Sequence, residues 1–137
     1  MTQEEKQLLL KDLSARLPYI PIVQISLFRN DGRKTDIDLD PHVSENIWEL
    51  IDKYHALPYL RPMSSMTDEE KNELKQISDD YLNEWENAKT SLEKWKLDAK
   101  VNYKNAMFYN SNHLDWNDLT SKGLALQAPE GMYKMEE

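Results

Sequence analysis

Apolar residues recur at helical spacing at the start of the chain. Thr2 and Glu5 have the spacing of a capping box, and leucines then follow at intervals of about one helical turn among polar residues. This pattern predicts a first helix from Gln3 to Arg16. Pro18 and Pro21 end it, because proline lacks the N–H group that the next helical hydrogen bond requires.

Two segments of alternating apolar and polar residues come next. Residues 22–28 place Val23 and Ile25 on one face, and residues 36–40 alternate apolar side chains with three aspartates. Between them, residues 30–32 read Asn-Asp-Gly, which tolerate the positive φ angles of tight turns. The sequence therefore predicts a β-hairpin over this region.

A short helix and a connector are predicted after the hairpin. Apolar residues cluster on one side of a helix running from about Val43 to His55. Pro58 and Pro62 then favour an extended or turning path, since proline fixes φ and restricts the residue before it. We expect this segment to connect the hairpin half of the chain to the helical half.

A long amphipathic segment begins at a second capping box, formed by Thr67 and Glu70. Neither proline nor glycine occurs from there to Ser121, and apolar residues recur with a mean spacing of about 3.6, the helical period. The positions that form this single stripe are Leu74, Ile77, Tyr81, Trp85, Ala88, Leu92, Trp95, Ala99, Tyr103 and Ala106.

Two arrangements of this segment remain open. A continuous helix from Thr67 to Tyr109 would span roughly 64 Å, whereas a compact chain of this length has a radius of gyration of about 14 Å. The alternative is a helical hairpin broken near residues 89–91 or near Asn102, where Asn, Thr and Ser lower the helix propensity. Residues 67–86 carry eight acids and two bases, and residues 87–104 carry two acids and five bases, which suits the dipole of a helix in this direction.

The C-terminal part predicts one more short helix, opened by Leu114, Asp115 and Trp116 and ended by Gly123. The tail after Gly131 is expected to fray. Together the elements predict an α+β fold that is predominantly helical, with residues 1–137 forming a single domain.

Composition narrows the possible roles. The net charge is −8, from 17 bases and 25 acids, so direct binding of nucleic acid is disfavoured. The chain contains no cysteine, no signal peptide pattern and no apolar run long enough to cross a bilayer, which favours a soluble cytoplasmic protein. One alternative is an acidic nucleic-acid mimic over residues 68–86, although Lys71 and Lys75 interrupt the track of carboxylates.

No familiar site chemistry is evident in the sequence. The histidines lack a second ligand at metal-binding spacing, the three glycines rule out phosphate-binding loops, and Asp36, Asp38 and Asp40 are better explained as a solvated strand face than as a cation site. We therefore predict no metal, no cofactor and no enzymatic activity. The remaining enzyme hypothesis is a site assembled from the distant residues His55, His113 and Asp115.

The long segment contains a concentration of large aromatic residues on one side of the predicted helix. Large rings on a helical stripe can form the protein's own core or an interface with another protein. For the second case, the sequence predicts a helix-mediated contact or self-association through Tyr81, Trp85, Leu92 and Trp95.

Three segments resemble blocks shared by a family of small uncharacterised proteins from gut-bacterial genomes, prophages and phages. They read KQLLLKDLSARLPY at 6–19, PYLRPMSSMTDEEKNEL at 58–74 and DWNDLTSKGLALQAPEGMY at 115–133. The chain departs from the family pattern between the first two blocks and, before the last one, shortens it to residues 113–116. The resemblance implies no activity or cofactor, but it suggests an accessory protein of a mobile element that binds a host or phage protein.

Overall fold

The computed structural model describes residues 1–26, 32–40 and 46–133. Within these ranges the chain forms four α-helices and one four-stranded sheet, so the predicted α+β, predominantly helical class is confirmed. The helices are α1 (Gln3–Arg16), α2 (Ile47–Asp52), α3 (Asp68–Asn87) and α4 (Ser91–Ser111); the strands are β1 (Ile22–Ser26), β2 (Lys34–Asp38), β3 (Leu57–Leu60) and β4 (Leu126–Gln127).

Helix α1 begins and ends where the sequence predicts. The Thr2 hydroxyl accepts a hydrogen bond from the Glu5 amide at 3.1 Å, and the Glu5 carboxylate accepts one from the Thr2 amide at 2.8 Å. These two bonds satisfy amides that have no partner within the helix. A 3₁₀ turn over Leu17–Tyr19 then leads the chain into the sheet.

The predicted β-hairpin is present, but its second strand begins and ends two residues earlier than predicted, at Lys34–Asp38 rather than residues 36–40. Strands β1 and β2 pair antiparallel, with Val23 opposite Ile37 and Ile25 opposite Thr35. The side chains of Val23, Ile25 and Ile37 belong to the core or pack against it, as the alternating pattern requires. The predicted turn at residues 30–32 lies partly outside the described residues.

The sheet contains a strand that the sequence reading missed. Residues 57–60 are extended, as expected for the connector, but they also pair antiparallel with β1 and parallel with β4, giving the order β2-β1-β3-β4. Pro58, which lies opposite Val23, hid this strand because proline lacks a ladder donor. Only two residue pairs join β1 to β3, so the missing donor disrupts little.

Helix α2 is shorter than predicted. It begins after Asn46, whose side chain accepts a hydrogen bond from the Glu49 amide at 3.0 Å, and it ends at Asp52 rather than at His55. His55 has a φ angle of +51°, outside helical geometry. The predicted start at Val43 falls within residues 41–45, outside the described part of the chain.

The predicted short helix after Leu114 is wrong, and turns occupy this region. The Asp115 carboxylate accepts hydrogen bonds from the amides of Leu119 at 2.7 Å and Thr120 at 3.0 Å, which holds a single turn in place of a helix. Gly123, which was predicted to end a helix, ends the turns instead, at a φ of +73°. The Leu124 amide reaches back to the Leu119 carbonyl at 3.0 Å, as in a Schellman motif.

The core lies between α1, α2, the sheet and these C-terminal turns. Among the described residues, neither α3 nor α4 contributes to this cluster, although Phe108 and Asn110 at the end of α4 are buried. Most of the length of the two long helices therefore extends away from the body. The buried members are Leu9, Leu13, Val23, Leu39, Ile51, Leu60, Leu119, Leu124 and Ala125. None of the described helices combines the length and the apolar character that crossing a membrane would require.

Candidate protein-interaction surface

Helices α3 and α4 form an antiparallel hairpin rather than one rod. The chain leaves helical geometry at Ala88, and the Thr90 hydroxyl caps α4 by accepting a hydrogen bond from the Glu93 amide at 3.1 Å. The Glu93 carboxylate accepts one from the Lys89 amide at 2.7 Å. The predicted break near residues 89–91 is confirmed, and the continuous helix from Thr67 to Tyr109 is wrong. Thr90 and Glu93 repeat the spacing of the two earlier capping boxes, so the signal for a new helix start was present.

The break changes which residues of α4 face α3. Ile77 and Tyr81 of α3 face Leu97 and Val101 of α4 across the hairpin, and all four side chains are partly buried. Each helical residue advances by about 100°, so Leu97 and Val101 lie on the side of α4 opposite Trp95. The predicted single stripe is therefore wrong: its first half faces inward, and its second half faces away from α3.

The outward half of the stripe forms an exposed apolar surface. We define the outer face of α4 as Leu92, Trp95, Ala99 and Tyr103, which recur at intervals of three or four residues. The exposed fractions are 59% for Leu92, 68% for Trp95 and 66% for Tyr103. Large apolar side chains exposed together in this way are typical of surfaces that bind another molecule.

The two helices are joined by a few polar contacts along their length. The Tyr81 hydroxyl donates to the Asp98 carboxylate, and this hydrogen bond raises the pKa of Tyr81. The Lys94 ammonium lies 4.3 Å from the centre of the Trp85 ring, a cation–π contact. The predicted contact residues thus divide into two pairs: Tyr81 and Trp85 hold the hairpin together, and Leu92 and Trp95 face solvent.

The hairpin is anchored at its base by a partly buried ion pair. The Arg61 guanidinium donates to both carboxylate oxygens of Glu70, at 2.8 and 2.7 Å, and to the carbonyls of Ser65 and Asn112, each at 3.1 Å. The hydrogen bonds from Arg61 lower the pKa of Glu70. One side chain after β3 therefore holds both the start of α3 and the end of α4. Sequence reasoning found the capping role of Glu70 but missed Arg61, which lies within the predicted connector.

The three residues of the hypothetical enzyme site, His55, His113 and Asp115, have different structural roles. The Asp115 carboxylate caps its turn, His55 is solvent exposed, and the His113 imidazole stacks on the Tyr133 ring at 3.7 Å between centroids. In the described part of the chain, no hydrogen bond or ring contact joins these three residues. Across the same ranges, no three His, Asp or Glu side chains form a group that could hold a metal ion.

The acidic track from Asp68 to Glu86 is not a uniform row of free carboxylates. Glu70 pairs with Arg61, Asp80 accepts a hydrogen bond from Gln76, and Glu84 lies 3.4 Å from the Lys100 ammonium. In strand β2, the Asp36 carboxylate accepts a hydrogen bond from the Tyr59 hydroxyl at 2.8 Å.

Tyr133 attaches the C-terminal end to the body. Its hydroxyl donates to the Tyr59 carbonyl at 2.7 Å and accepts from the Ile22 amide at 2.9 Å, so the predicted fraying does not begin before this residue. Burial raises the pKa of Tyr133 to about 12. The pKa of the stacked His113 is lowered to about 4, because burial disfavours the imidazolium and the charges of Arg16 and Arg61 repel it.

We expect the protein to lose stability between pH 7 and pH 5 because of His113. The pKa of His113 is about 4 in the folded protein and 6.5 in the unfolded chain. Between these two pH values the unfolded chain therefore binds more protons than the folded protein. The contribution of His113 to the free energy of unfolding is therefore fully present above pH 6.5 and declines as the pH falls below it. Allowing for partial exposure of the ring, the loss is about 1 to 2 kcal/mol by pH 5.

Urea unfolding at several pH values measures this loss. The His113→Asn variant should flatten the pH dependence, since asparagine does not titrate and tolerates the φ angle of +58° at this position. His55→Asn is the matched control, because His55 also has a positive φ but is exposed. Equal pH dependence in the His113→Asn variant and the wild type would contradict the assignment.

No protein-family model matches the sequence, and comparison with the curated proteins and with the solved structures finds no significant match.

Proposed function

We propose that this protein is a non-enzymatic interaction module that contacts another protein through the outer face of α4. Exposure of the outer face carries the proposal: an indole, a phenol and a leucine side chain lie on one side of a helix whose opposite side already packs against α3. Tryptophan and tyrosine supply much of the binding free energy at protein interfaces. A helix with apolar residues on two opposite sides is adapted to contact two neighbours.

The way in which the hairpin is mounted also supports this role. No residue from Lys71 to Met107 is fully buried, and the main hydrophobic cluster of the body contains no described residue of either long helix. The anchoring contacts of Arg61 nevertheless fix both helices at the base. An outer face held in position before binding loses less conformational entropy when it meets a partner.

The biological setting of this proposal comes from the sequence. The three segments that resemble proteins of phages, prophages and gut bacteria favour an accessory protein of a mobile element, acting in the cytoplasm on a host or phage protein.

Replacing Trp95 by serine should weaken partner binding by about 30-fold or more, because truncating a central aromatic residue typically costs at least 2 kcal/mol. The partner is first captured with a photo-crosslinking amino acid at position 95, in the cells that produce this chain. Affinity is then measured by calorimetry with the two purified proteins. The fold should be unchanged, since Trp95 is largely exposed.

Leu82→Ser provides the matched control. Leu82 is an exposed apolar residue of α3, 52% accessible, and it lies outside the outer face. Its replacement should leave the affinity within about twofold. The proposal is overturned if a crosslinker at position 95 yields the same products as one at the exposed Lys75, or if Trp95→Ser binds the captured partner as tightly as the wild type.

A further inference from the structure

We infer that the occupant of the outer face is an acidic amphipathic helix of a different protein, lying lengthwise against α4. The inference rests on the proposed function and specifies the partner's chemistry. Its basis is a row of lysines that borders the outer face, defined here as the lysine rim: Lys96, Lys100 and Lys104.

The lysine rim follows the outer face turn by turn. Lys96, Lys100 and Lys104 recur at intervals of four, so they lie on one side of the helix. Each follows a residue of the outer face, Trp95, Ala99 or Tyr103, and therefore lies about 100° around the helix from it. A helix packed on the outer face would have one of its flanks beside these ammonium groups.

The lysine rim lies between the outer face and the groove that α4 forms with α3, and Asp80 and Glu84 of α3 line this groove together with Lys100 and Lys104. Among the described residues, no ion pair holds Lys96 or Lys104. Lys100 lies 3.4 Å from Glu84, but both side chains are about half exposed, and such pairs contribute little and exchange readily. The two acids of α4 are used elsewhere: Glu93 binds the Lys89 amide, and Asp98 binds the Tyr81 hydroxyl. The rim therefore offers the ammonium groups of Lys96 and Lys104 to the carboxylates of a partner.

These charges favour a foreign partner over a second copy of the chain. If two copies paired antiparallel through their outer faces, the two-fold axis would place the lysine rim of one beside that of the other. Like charges in that position repel, and this repulsion selects against the pairing. Carboxylates on a partner helix would instead relieve the charge of the rim.

The dimensions of the outer face set the size of the partner segment. From Leu92 to Tyr103 the face extends over roughly 16 Å, which a helix of about three turns covers. Large apolar residues at intervals of three and four on that helix would pack against Trp95 and Tyr103, with Glu or Asp on the flank beside the rim. The complex would resemble a small three-helix bundle.

A selection from displayed helical peptides tests this inference. The library fixes an apolar stripe of Leu, Met, Phe and Trp and varies the flanking positions equally among Glu, Gln and Lys, and it is selected against the full chain. Recovered binders should carry Glu at least tenfold more often than Lys at the flanks. The affinity of a recovered peptide should fall about tenfold for the K96E/K104E double variant and should decrease with salt. The K71E/K75E variant of α3 is the control and should bind normally.

The outcomes separate this inference from the proposed function. Binders without an acidic bias, unchanged binding to K96E/K104E, or no binders at all would overturn the inference. A dimer detected by light scattering and abolished by Trp95→Ser would also overturn it, since the occupant would then be a second copy. If binders with acidic flanks bind Trp95→Ser as well as the wild type, the proposed function fails as well, because the outer face would not be their site.

Discussion

Replacing Asp12 by alanine is expected to lower the free energy of unfolding by about 3 to 5 kcal/mol, the range found when one partner of a buried ion pair is removed. The side chains of Asp12 and Arg16 are 1% and 0% exposed. The Asp12 carboxylate accepts hydrogen bonds from Arg16 Nε at 2.7 Å and Nη2 at 3.3 Å, and from the side-chain Nδ2 of Asn117 at 2.9 Å. Without it, the Leu114 carbonyl, at 2.8 Å, is the one hydrogen-bond acceptor that the described residues leave to the buried Arg16 guanidinium.

Denaturant unfolding of three variants separates this effect from a general loss of contacts. Glu84→Ala removes the exposed pair with Lys100 and should cost less than about 0.5 kcal/mol. The double variant D12L/R16M should recover most of the stability lost in Asp12→Ala, because apolar side chains of similar size often replace a buried ion pair without cost. A loss below about 1 kcal/mol for Asp12→Ala would show that Arg16 reaches solvent.

The signal for this pair was present in the sequence. Asp12 and Arg16 are four residues apart and lie on the same side of α1 as Leu9 and Leu13. This is the apolar side of the predicted helix, and both leucines are buried in the structure. Charged residues on the apolar side of a helix must be paired if that side is covered. The turns around Leu114 and Asn117 cover this side of α1, and they lie about a hundred residues later in the chain. The local sequence of α1 does not show that they pack there.

Features set by neighbouring residues were predicted well. The capping boxes that start α1 and α3, the hairpin of β1 and β2, and the break before α4 all follow from residues within a few positions of one another. Strand β3 was missed because its partners β1 and β4 lie far away along the chain, and no local pattern shows that a proline-containing segment enters a sheet.

The candidate site was predicted in part, for a related reason. The aromatic residues were identified from the sequence. The predicted single stripe, however, requires the rotation of the helix to continue unchanged through residues 88–90. The non-helical residues there reset the rotation of α4, so Leu97 and Val101 face α3 while Trp95 and Tyr103 face outward. The rotation of one helix against another depends on the packing between them, which the mean spacing of apolar residues does not contain.

Replacing Glu70 by alanine should lower the free energy of unfolding by about 2 to 3 kcal/mol. Glu70 is 3% exposed, and its carboxylate both pairs with Arg61 and accepts from the Thr67 amide at 2.8 Å. The expected loss is smaller than for Asp12, because Arg61 is partly exposed and keeps the carbonyls of Ser65 and Asn112. Glu73→Ala, on the same helix but exposed, is the control and should be nearly neutral.

The same variant tests whether the base of the hairpin supports the outer face of α4. Arg61 links the start of α3 to the Asn112 carbonyl just after α4, so releasing Glu70 should increase amide hydrogen exchange in the first turns of α3 and near residues 108–112. Trp95, about four helical turns from Glu70 along the α3–α4 hairpin, and the rest of the outer face keep their side chains. Partner binding should therefore weaken through greater mobility of the hairpin, by a smaller factor than in Trp95→Ser. If Glu70→Ala destabilises the protein while exchange in both helices stays unchanged, the pair stabilises the body alone, and the outer face does not depend on this anchor.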